Sequence, residues 1–300
     1  MVLRDVHQRA PKRRFEAIAV MAGEGLPVQA ATRILDVTDS GYYAWRSRGP
    51  STRAVRHALI TETIRQVHLA SRGTYGYRRV HAELTMGRGI IVGHGTVELL
   101  MARAGIKGIT GAPKWRRARP DLLATDLVDR RFTREGVDQL WVTDITEHPT
   151  REGKVYCAVV LDVCSRRVVG WSIDSSPTAA LVTNALGMAI DTRRPPAGAI
   201  IHSDHGVQFG SWAFTTRARQ SGLVPSMGSI GDCYDNAVIE SFWSRMQVEL
   251  LDRQRWRTRL ELANAMFDYL EIFHNRRRRH SALGWLTPIE FENRQSITVA

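Results

Sequence analysis

The spacing of apolar residues divides the chain into two halves of different character. Up to about residue 112, apolar side chains recur every three or four positions between short turns marked by glycine, which is typical of amphipathic helices. The first half is therefore expected to be all-α. Helices are predicted over residues 13–21, 28–35, 40–46, 55–69, 75–84 and 96–104.

The first three helices, within residues 1–50, have the outline of a helix-turn-helix unit. The last of them carries the aromatic residues Tyr42, Tyr43 and Trp45, which could contact DNA. Since aromatic residues usually pack in cores, at least two of the three are expected to do so here.

A second helical unit of similar proportions is predicted over residues 51–112. Arg78 and Arg79 lie on its middle helix and are candidate DNA contacts. Two such units in tandem favour DNA binding more than either does alone.

The positive charge of the chain is concentrated in this first half. The chain has 42 Lys and Arg against 30 Asp and Glu, and the whole excess of +12 falls within residues 1–137, whereas residues 138–300 are neutral. Such an asymmetry indicates a polyanionic partner such as nucleic acid. A basic linker is predicted over residues 113–137, with candidate DNA contacts at Lys114, Arg116 and Arg117.

The second half begins with a different pattern. Three runs rich in β-forming residues, over 140–146, 155–162 and 167–173, are separated by short connections and predict an antiparallel meander. Alternating helices and strands follow, which predicts an α/β fold with a mixed sheet and helices on its faces over residues 138–300. The further helices are predicted over 178–190, 212–220, 234–251 and 260–273, and the further strands over 199–203 and 223–225.

Composition excludes several classes of protein. The apolar fraction of 43% is that of a globular chain, no apolar run is long enough to cross a bilayer, and the charged N-terminus does not resemble a secretory signal. Three scattered cysteines support neither a disulfide framework nor a zinc site, and each is expected to be a small buried residue. These features predict a cytoplasmic protein.

Three carboxylates stand at positions that structural roles explain poorly. Asp144 follows the apolar run 140–143, and Asp204 follows the apolar run 199–203. A charge is costly inside a sheet, but at a strand end it opens into a ligand crevice. Glu240 lies near the start of the predicted helix 234–251, where it can meet the two aspartates.

The helix around Glu240 has a polar stripe beside its apolar one. Asn236, Glu240, Ser244 and Gln247 recur at helical spacing, so they share a face that would meet a substrate. Three acids without a balancing cation repel one another, and such a cluster fits a site for Mg²⁺ or Mn²⁺. Two ions bound there would activate an attacking oxygen and stabilise a leaving one during phosphoryl transfer.

Other assignments of the same residues remain open. Each acid taken alone is more often a cap or an ion-pair partner, and Asp232 and Asp235 are rivals for the third ligand. Asp162 is either a fourth acid of the site or a turn residue before Ser165. His202 and His205 flank Asp204, but hydrogen bonding or packing suits them better than ligating a hard cation.

The basic run of Arg276, Arg277, Arg278 and Arg279 is read in two ways. Such a run is usually a solvated surface, but beside a nuclease-type site it equally fits contacts with DNA phosphates.

At this point the motifs resemble a known family. The sequences Trp-Val-Thr-Asp-Ile-Thr at Asp144, His-Ser-Asp-His-Gly-Val-Gln-Phe at Asp204 and Asp-Asn-Ala-Val-Ile-Glu-Ser-Phe-Trp at Glu240 resemble the three acidic motifs of retroviral-integrase-like cores. Thirty-five residues separate Asp204 from Glu240, as in the D,D(35)E transposases. The chain resembles, more narrowly, the second-frame (OrfB-type) transposases of bacterial insertion sequences at residues 40–45, 73–79, 165–171 and 274–284.

The resemblance implies an RNase H-like catalytic domain that cleaves DNA with water and then uses the freed 3′-hydroxyl for strand transfer. The family commonly has Lys or Arg seven residues after the glutamate; Gln247 stands there, and Arg245 is a possible substitute. The implied partners are double-stranded DNA (the terminal repeats and the target), further copies of the chain on that DNA, and an upstream-frame (OrfA-type) protein or fusion. The alternatives are a DNA-binding regulator without activity and a nuclease that cuts but does not join.

Overall fold

The computed structural model describes residues 11–109, 136–204, 206–227 and 237–299 of the chain. These residues form two compact units, one within residues 1–60 and the other within residues 61–300. The sequence predicts four segments, 1–50, 51–112, 113–137 and 138–300. The two compact units do not test this division, because the second helical unit and the sheet lie within the same compact unit, and the four segments stay a prediction.

The first unit is built from three helices: α1 (Pro11–Gly23), α2 (Val28–Ile34) and α3 (Asp39–Ser47). The Thr38 side chain caps α3 by accepting a hydrogen bond from the Gly41 N–H at 3.1 Å. Side chains from all three helices and the turn after α2 form a small core. Its buried members are Ile18, Ala31, Leu35 and Tyr42.

The aromatic residues of α3 divide between core and surface as expected. Tyr42 is buried, and the partly buried Trp45 stacks on Phe15 with ring centroids 5.8 Å apart. Tyr43 is half exposed. The prediction that at least two of these three rings pack in the core is confirmed.

The helical part of the second unit consists of α4 (Thr52–Ala70), which spans the boundary between the units, α5 (Tyr77–Ala82) and α6 (His94–Arg103). The pattern predicts one helix over 75–84, but Thr74 and Tyr75 instead bond back to α4 and its turn, so α5 starts at Tyr77. A π-helical turn, Glu83–Gly87, extends α5 beyond the predicted end.

The sheet has five strands in the order β3-β2-β1-β4-β5. β1 (Leu140–Thr150), β2 (Gly153–Asp162) and β3 (Val168–Asp174) are antiparallel, which confirms the predicted meander. β4 (Ile200–Ser203) and β5 (Val224–Met227) continue the sheet in parallel with β1. This arrangement is the mixed sheet expected from the sequence.

Helices cover the sheet on both faces. α7 (Ala179–Arg193) packs across β2 and β3, and α8 (Trp212–Gln220) packs against α7 and β5. The contact with β3 is close: a Cβ on Gly170 would lie 2.2 Å from the Ala185 carbonyl oxygen, so only glycine fits there.

The opposite face receives the C-terminal helices. α9 (Ala237–Glu249) contacts β1, and α10 (Arg259–Phe267) contacts β2 before continuing as a π-helix, Asp268–His274. A short 3₁₀ turn, Leu251–Arg253, lies between α9 and α10, and another, Ser281–Leu283, follows the π-helix. The described helices include none that is long and apolar enough to cross a membrane.

The last helix, α11 (Pro288–Val299), is not predicted by the apolar pattern. Its start is nevertheless encoded locally: the Thr287 hydroxyl accepts from the Glu290 N–H at 3.2 Å, and the Glu290 carboxylate accepts from the Thr287 N–H at 2.9 Å. This reciprocal capping box, with Pro288 at the first helical position, is a readable start signal.

A buried ion pair ties α9 to the segment after the last π-helix. Glu249 and Arg278 are each 4% exposed, and the guanidinium donates from Nε at 2.7 Å and from Nη2 at 2.8 Å to the two carboxylate oxygens. The Tyr269 hydroxyl donates to the same carboxylate at 2.9 Å, and Arg79 Nη1 lies 3.6 Å from it. α5, α9 and the C-terminal segment therefore meet at one carboxylate.

Tyr75 and Arg279 extend this junction. The Tyr75 hydroxyl donates to the Arg277 carbonyl at 2.9 Å and accepts from the Arg279 N–H at 2.8 Å. The Arg279 guanidinium pairs with Glu83 at 2.7 Å and with Glu290. The second helical unit is thus fastened to the C-terminal segment by buried polar contacts.

We expect Arg278→Met to lower the free energy of unfolding by about 3–5 kcal/mol, because it leaves the Glu249 charge buried without its bidentate partner. Urea unfolding measures the change. Arg217→Met is the matched control: it removes an exposed pair with Asp191, and we expect a change of about 0.5 kcal/mol or less. Equal losses in the two variants would contradict a structural role for the buried pair.

Candidate active site

Asp144 and Asp204 lie where the parallel ladder between β1 and β4 ends. The ladder finishes with Thr143 opposite Ser203, so the two aspartates are the next residues on neighbouring strands. Because such strands lie about 4.8 Å apart, the aspartates leave the sheet side by side. The apolar run predicts that Asp144 closes its own strand, but β1 continues to Thr150 because its pairing with β2 continues. The end of β4 opens the crevice instead.

The direction of the Asp144 side chain follows from strand alternation. Trp141 and Ile145 belong to the core under α7, so Asp144 points to the other face of the sheet, where α9 lies. There its Oδ2 accepts a hydrogen bond from Trp243 Nε1 at 3.0 Å, and its Oδ1 accepts from the Ile145 N–H at 2.7 Å. The carboxylate is therefore held at both oxygens.

Trp243 connects Asp144 to the third acid. It lies three residues after Glu240 on α9, so the two side chains are neighbours on the helix surface. The hydrogen bond from Trp243 to Asp144 therefore brings the exposed Glu240 toward the end of the β1–β4 ladder. The apolar periodicity assigns Trp243 only to the core stripe of its helix. Its spacing from Glu240 was the available signal for this second role.

Asp204 is exposed in the loop after β4. Its Oδ1 accepts a hydrogen bond from the Gly206 N–H at 3.0 Å, which fixes one oxygen; among the described residues the other oxygen accepts no hydrogen bond. A Cβ on Gly206 would lie 3.0 Å from that same oxygen, so a larger residue would crowd the carboxylate.

The electrostatics of Asp144 reflect these neighbours. Burial, together with the nearby charges of Asp204 and Glu240, raises the pKa of Asp144 to about 6, against hydrogen bonds from Ile145 and Trp243 that lower it. Asp204 and Glu240 are therefore close enough to repel the charge of Asp144. Within the ranges that the structure describes, no three His, Cys, Asp or Glu side chains lie close enough together to hold a metal ion. The acids are neighbours, but they do not enclose an ion.

The chemistry of this donor set nevertheless fits a hard divalent cation. The donors are carboxylate oxygens, which Mg²⁺ and Mn²⁺ prefer, and the charged side chains with the largest effect on the pKa of Asp144 are Asp204 and Glu240, both acids. This pKa is raised by burial and, to a smaller extent, by repulsion from the other two acids, and a cation bound between the acids would relieve that repulsion.

Asp162 belongs to a turn. It is fully buried, and its Oδ1 accepts from the Ser165 N–H at 2.7 Å and from the Ser165 hydroxyl at 2.9 Å. Its Oδ2 accepts from the Asp138 N–H at 2.7 Å. These bonds support the turn assignment rather than a fourth acid of the site.

His202 contacts a neighbouring strand. Its Nδ1 lies 3.1 Å from the Ser226 hydroxyl of β5, which is the hydrogen-bonding role expected of it. Several other residues singled out in the sequence lie outside the described part of the chain. They are Lys114, Arg116, Arg117, His205, Asp232, Asp235 and Asn236.

The structure corrects the expectation that Arg278 and Arg279 contact DNA. Both are buried, at 4% and 3% exposure, and their guanidinium groups pair with acidic side chains of the same compact unit. Arg79 is half buried and donates from Nε to the Arg279 carbonyl at 3.1 Å. A guanidinium used in this way is not available to a DNA duplex on the surface.

The other predicted DNA contacts have different environments. Arg78, Arg276 and Arg277 are exposed, and Arg78 lies over the Tyr77 ring at 5.7 Å. Gln247 donates to Asp252 at 2.5 Å, so it is part of a local contact at the end of α9.

Comparison with known families gives matches over most of the chain. The integrase core domain family matches residues 134–233, a second integrase core family matches residues 221–288, and the HTH-like domain family matches residues 55–114.

Relatives of comparable length are similar over the same region. The transposase for insertion sequence element IS629 of Shigella sonnei is 38% identical over 244 residues, covering 81% of each chain. The transposase InsF for insertion sequence IS3A of Escherichia coli is 34% identical over 272 residues, covering 89% of this chain and 94% of that one. Among solved structures, the HTLV-2 integrase catalytic core domain in complex with magnesium matches at 18% identity and a TM-score of 0.39, covering 52% of this chain and 96% of that one.

The raised pKa of Asp144 predicts a stabilising substitution at the site. The folded state holds a proton up to about pH 6 that the unfolded chain loses near pH 4, so stability falls as the pH rises through this window. We expect Asp144→Asn to raise the free energy of unfolding at pH 7.5 by about 1–2 kcal/mol, and by much less at pH 4. The measurement is urea unfolding at both pH values.

Asp174→Asn, which removes an exposed carboxylate at the end of β3, is the matched control and should change stability little at either pH. A destabilised Asp144→Asn protein at pH 7.5 would show that the carboxylate is not strained by its surroundings.

Proposed function

The chain belongs to the IS3-family insertion-sequence transposases, and from this membership we propose that it cuts phosphodiester bonds at the ends of an insertion element and joins the freed 3′-hydroxyls to DNA. It is a transposase with an integrase catalytic core, a polynucleotidyl transferase of the DDE type. The reaction steps and the residues that perform them are the proposal.

The observation that carries the proposal is the placement of the three acids. Asp144 and Asp204 follow the end of the same parallel ladder, and Glu240 is linked to them through the hydrogen bond from Trp243 to Asp144. Their order along the chain, and the thirty-five residues between Asp204 and Glu240, are those of the three acids in D,D(35)E transposases. The pKa of Asp144 is raised first by burial and further by the charges of Asp204 and Glu240, and this second contribution supports a shared cation site.

Asp144, Asp204 and Glu240 would hold Mg²⁺ or Mn²⁺, with two ions in the full site. Bound metal supplies Lewis acidity that activates the attacking oxygen and stabilises the leaving oxygen of an in-line displacement. The protein's part is to hold Asp144 deprotonated and oriented through Ile145 and Trp243, and to keep one oxygen of Asp204 turned away from the ligand toward Gly206.

The chemistry needs no nucleophilic side chain. In the first step a water oxygen attacks the phosphorus at the element end and the 3′-oxygen leaves, taking up a proton to become a free 3′-hydroxyl. In the second step this hydroxyl attacks another phosphodiester, and the oxygen of the broken strand leaves. Both steps exchange one P–O bond for another, so the same carboxylates serve both.

DNA is the proposed partner throughout. Recognition of the terminal repeats is proposed for the helical residues before the sheet, and the exposed Arg78, Arg276 and Arg277 remain candidates for phosphate contact. Because two element ends must be joined in one reaction, we expect further copies of the chain to assemble on DNA. Assistance by an upstream-frame protein or fusion is part of the same proposal.

The first test is a gel assay with labelled element-end DNA, with Mg²⁺ or Mn²⁺ against a chelator. Asp144→Asn, Asp204→Asn and Glu240→Gln should each lower cleavage and joining by at least about a thousandfold, equivalent to about 4 kcal/mol of activation free energy. DNA binding should be retained, because these substitutions remove a negative charge and leave every Lys and Arg in place.

Asp174→Asn, outside the site, should keep wild-type rates. Near-wild-type cleavage by any of the three acid variants would remove that acid from the site. Cleavage without joined products would indicate a nuclease, and binding without cleavage, unchanged by the upstream-frame protein, would indicate a regulator.

Trp243→Phe tests the link between α9 and Asp144. The lost N–H donor stabilises the charged carboxylate, so its removal should raise the pKa of Asp144 further above 6. We expect cleavage to fall by about 10–100-fold near neutral pH and to recover partly at higher pH. The pH–rate profile distinguishes this role from simple loss of packing, which would lower the rate equally at every pH.

A further inference from the structure

A pocket of about 270 Å³ lies beside α9, apart from the carboxylate site. Its charged lining is entirely basic: the described lining residues include no acid, and none of them is Asp144, Asp204 or Glu240. We call it the arginine pocket. It is defined by Arg79, Arg166, Arg245, Arg278, His274 and His280.

Four separate parts of the fold bring these arginines together. Arg79 comes from α5, Arg245 from α9 and Arg278 from the segment after the last π-helix. Arg166 comes from the turn between β2 and β3, where it has a left-handed backbone with φ of +59°. Such a conformation is strained for a residue other than glycine, and strain of this kind collects at functional sites.

The positive charges of the pocket are only partly neutralised. Glu249, which does not line the pocket, has Arg278 as its bidentate partner, and Arg79 Nη1 lies further away at 3.6 Å. Neither Arg166 nor Arg245 forms an ion pair within the described residues. Glu249 acts on Arg79 and Arg278, and the charge of the buried Asp162 acts on Arg166. Four guanidinium groups therefore face two carboxylates, and an excess of positive charge remains.

The pKa values of the two histidines in the pocket, His274 and His280, are both lowered, in part by this positive charge. Burial and the neighbouring Arg278 lower the pKa of His274 to about 4. Burial, followed by His274, Arg278, Arg79 and Arg166, lowers the pKa of His280 well below its ordinary value. Arg278, Arg79 and Arg166 all act on His280, so three of the four guanidinium groups lie near one place.

His280 also carries an unused hydrogen-bonding atom. Its Nε2 is buried and has no partner within the described part of the chain. Buried polar atoms are almost always paired, and an exception suggests a ligand or water. A pocket with surplus guanidinium groups and an unpaired imidazole nitrogen is suited to an oxyanion such as phosphate.

The position of the pocket relates it to the carboxylates. Ser241 and Arg245 line it from α9, and Ser241 is the residue after Glu240, about 100° further round the helix. α9 therefore carries Glu240 on one side, and its adjacent side lines the arginine pocket. Arg245 is exposed, so a long polyanion can reach the pocket from the surface.

We infer that the arginine pocket binds one phosphate of a DNA strand that passes the carboxylate site, and so fixes that strand against α9. The inference rests on the proposed function for the identity of the polyanion. Arg166 and Arg245 hold the phosphate, and His280 contributes a hydrogen bond. Arg79 and Arg278 supply positive potential while remaining tied to Glu249.

The test is DNA affinity as a function of salt, measured with a short fluorescein-labelled duplex and no divalent metal. Loss of one phosphate contact reduces the slope of log K against log salt by about 0.9. We expect this reduction in Arg166→Gln and in Arg245→Gln, with about tenfold weaker binding at moderate salt. Arg166→Lys, which keeps the charge, should retain most of the slope.

Arg219→Gln is the matched control, because Arg219 is an exposed arginine on α8 outside the pocket. It should keep the wild-type slope, and urea unfolding should show all four variants folded. A wild-type slope in Arg166→Gln would overturn the inference.

Inorganic phosphate provides a second probe. It should raise the Tm of the wild-type protein more than that of Arg166→Gln, since only the former has a complete pocket. If phosphate distinguishes the two proteins but the DNA slope does not, the pocket takes a free phosphate and the DNA assignment is overturned.

Failure of the proposed function would look different. The Asp144→Asn protein leaves the pocket intact and should bind DNA with the wild-type slope. A wild-type protein that binds DNA through the pocket but does not cleave with metal would contradict the proposed function and leave the pocket assignment standing.

Discussion

The buried carboxylate of Glu249 is the constraint on which the arrangement of the second unit depends. A charge that is 4% exposed must be matched nearly completely, and the match comes from Arg278 with help from Tyr269 and Arg79. Because Glu249 ends α9, its partners fix the end of the helix that carries Glu240. Satisfying one buried charge thus joins α5, α9 and the C-terminal segment, three parts of the chain that are far apart in sequence.

This junction changes the meaning of two basic motifs. The segments around Arg79 and Arg278 look like surfaces for DNA when read along the chain, because both are rich in arginine. In the fold they face each other, and the Tyr75 hydroxyl bonds to the backbone of both Arg277 and Arg279. Much of their positive charge is neutralised by ion pairs with Glu83, Glu249 and Glu290 of the same unit. What remains unmatched is gathered around the arginine pocket and on the exposed Arg78, Arg276 and Arg277.

The candidate active site depends on a different constraint, the topology of the sheet. Parallel pairing of β4 with β1 makes Asp144 and Asp204 neighbours, although sixty residues separate them. Strand alternation then turns Asp144 away from the core under α7 and toward Trp243. This placement has an electrostatic consequence: burial, together with the charges of Asp204 and Glu240, raises the pKa of Asp144.

The sequence alone determined most of the helices and strands, the mixed sheet and the choice of the three acids as candidates, because periodicity, strand-end position and motif spacing are local properties of the chain. It also contains local signals that the apolar pattern does not show, such as the capping box at Thr287 that starts α11 and the spacing of Trp243 from Glu240. Only the tertiary structure decided which arginines are available to a ligand. Arg278 and Arg276 are equivalent in the sequence, and they differ because one meets a buried carboxylate. Ion pairs between distant residues leave no periodic trace, so their partners appear only when the chain is folded.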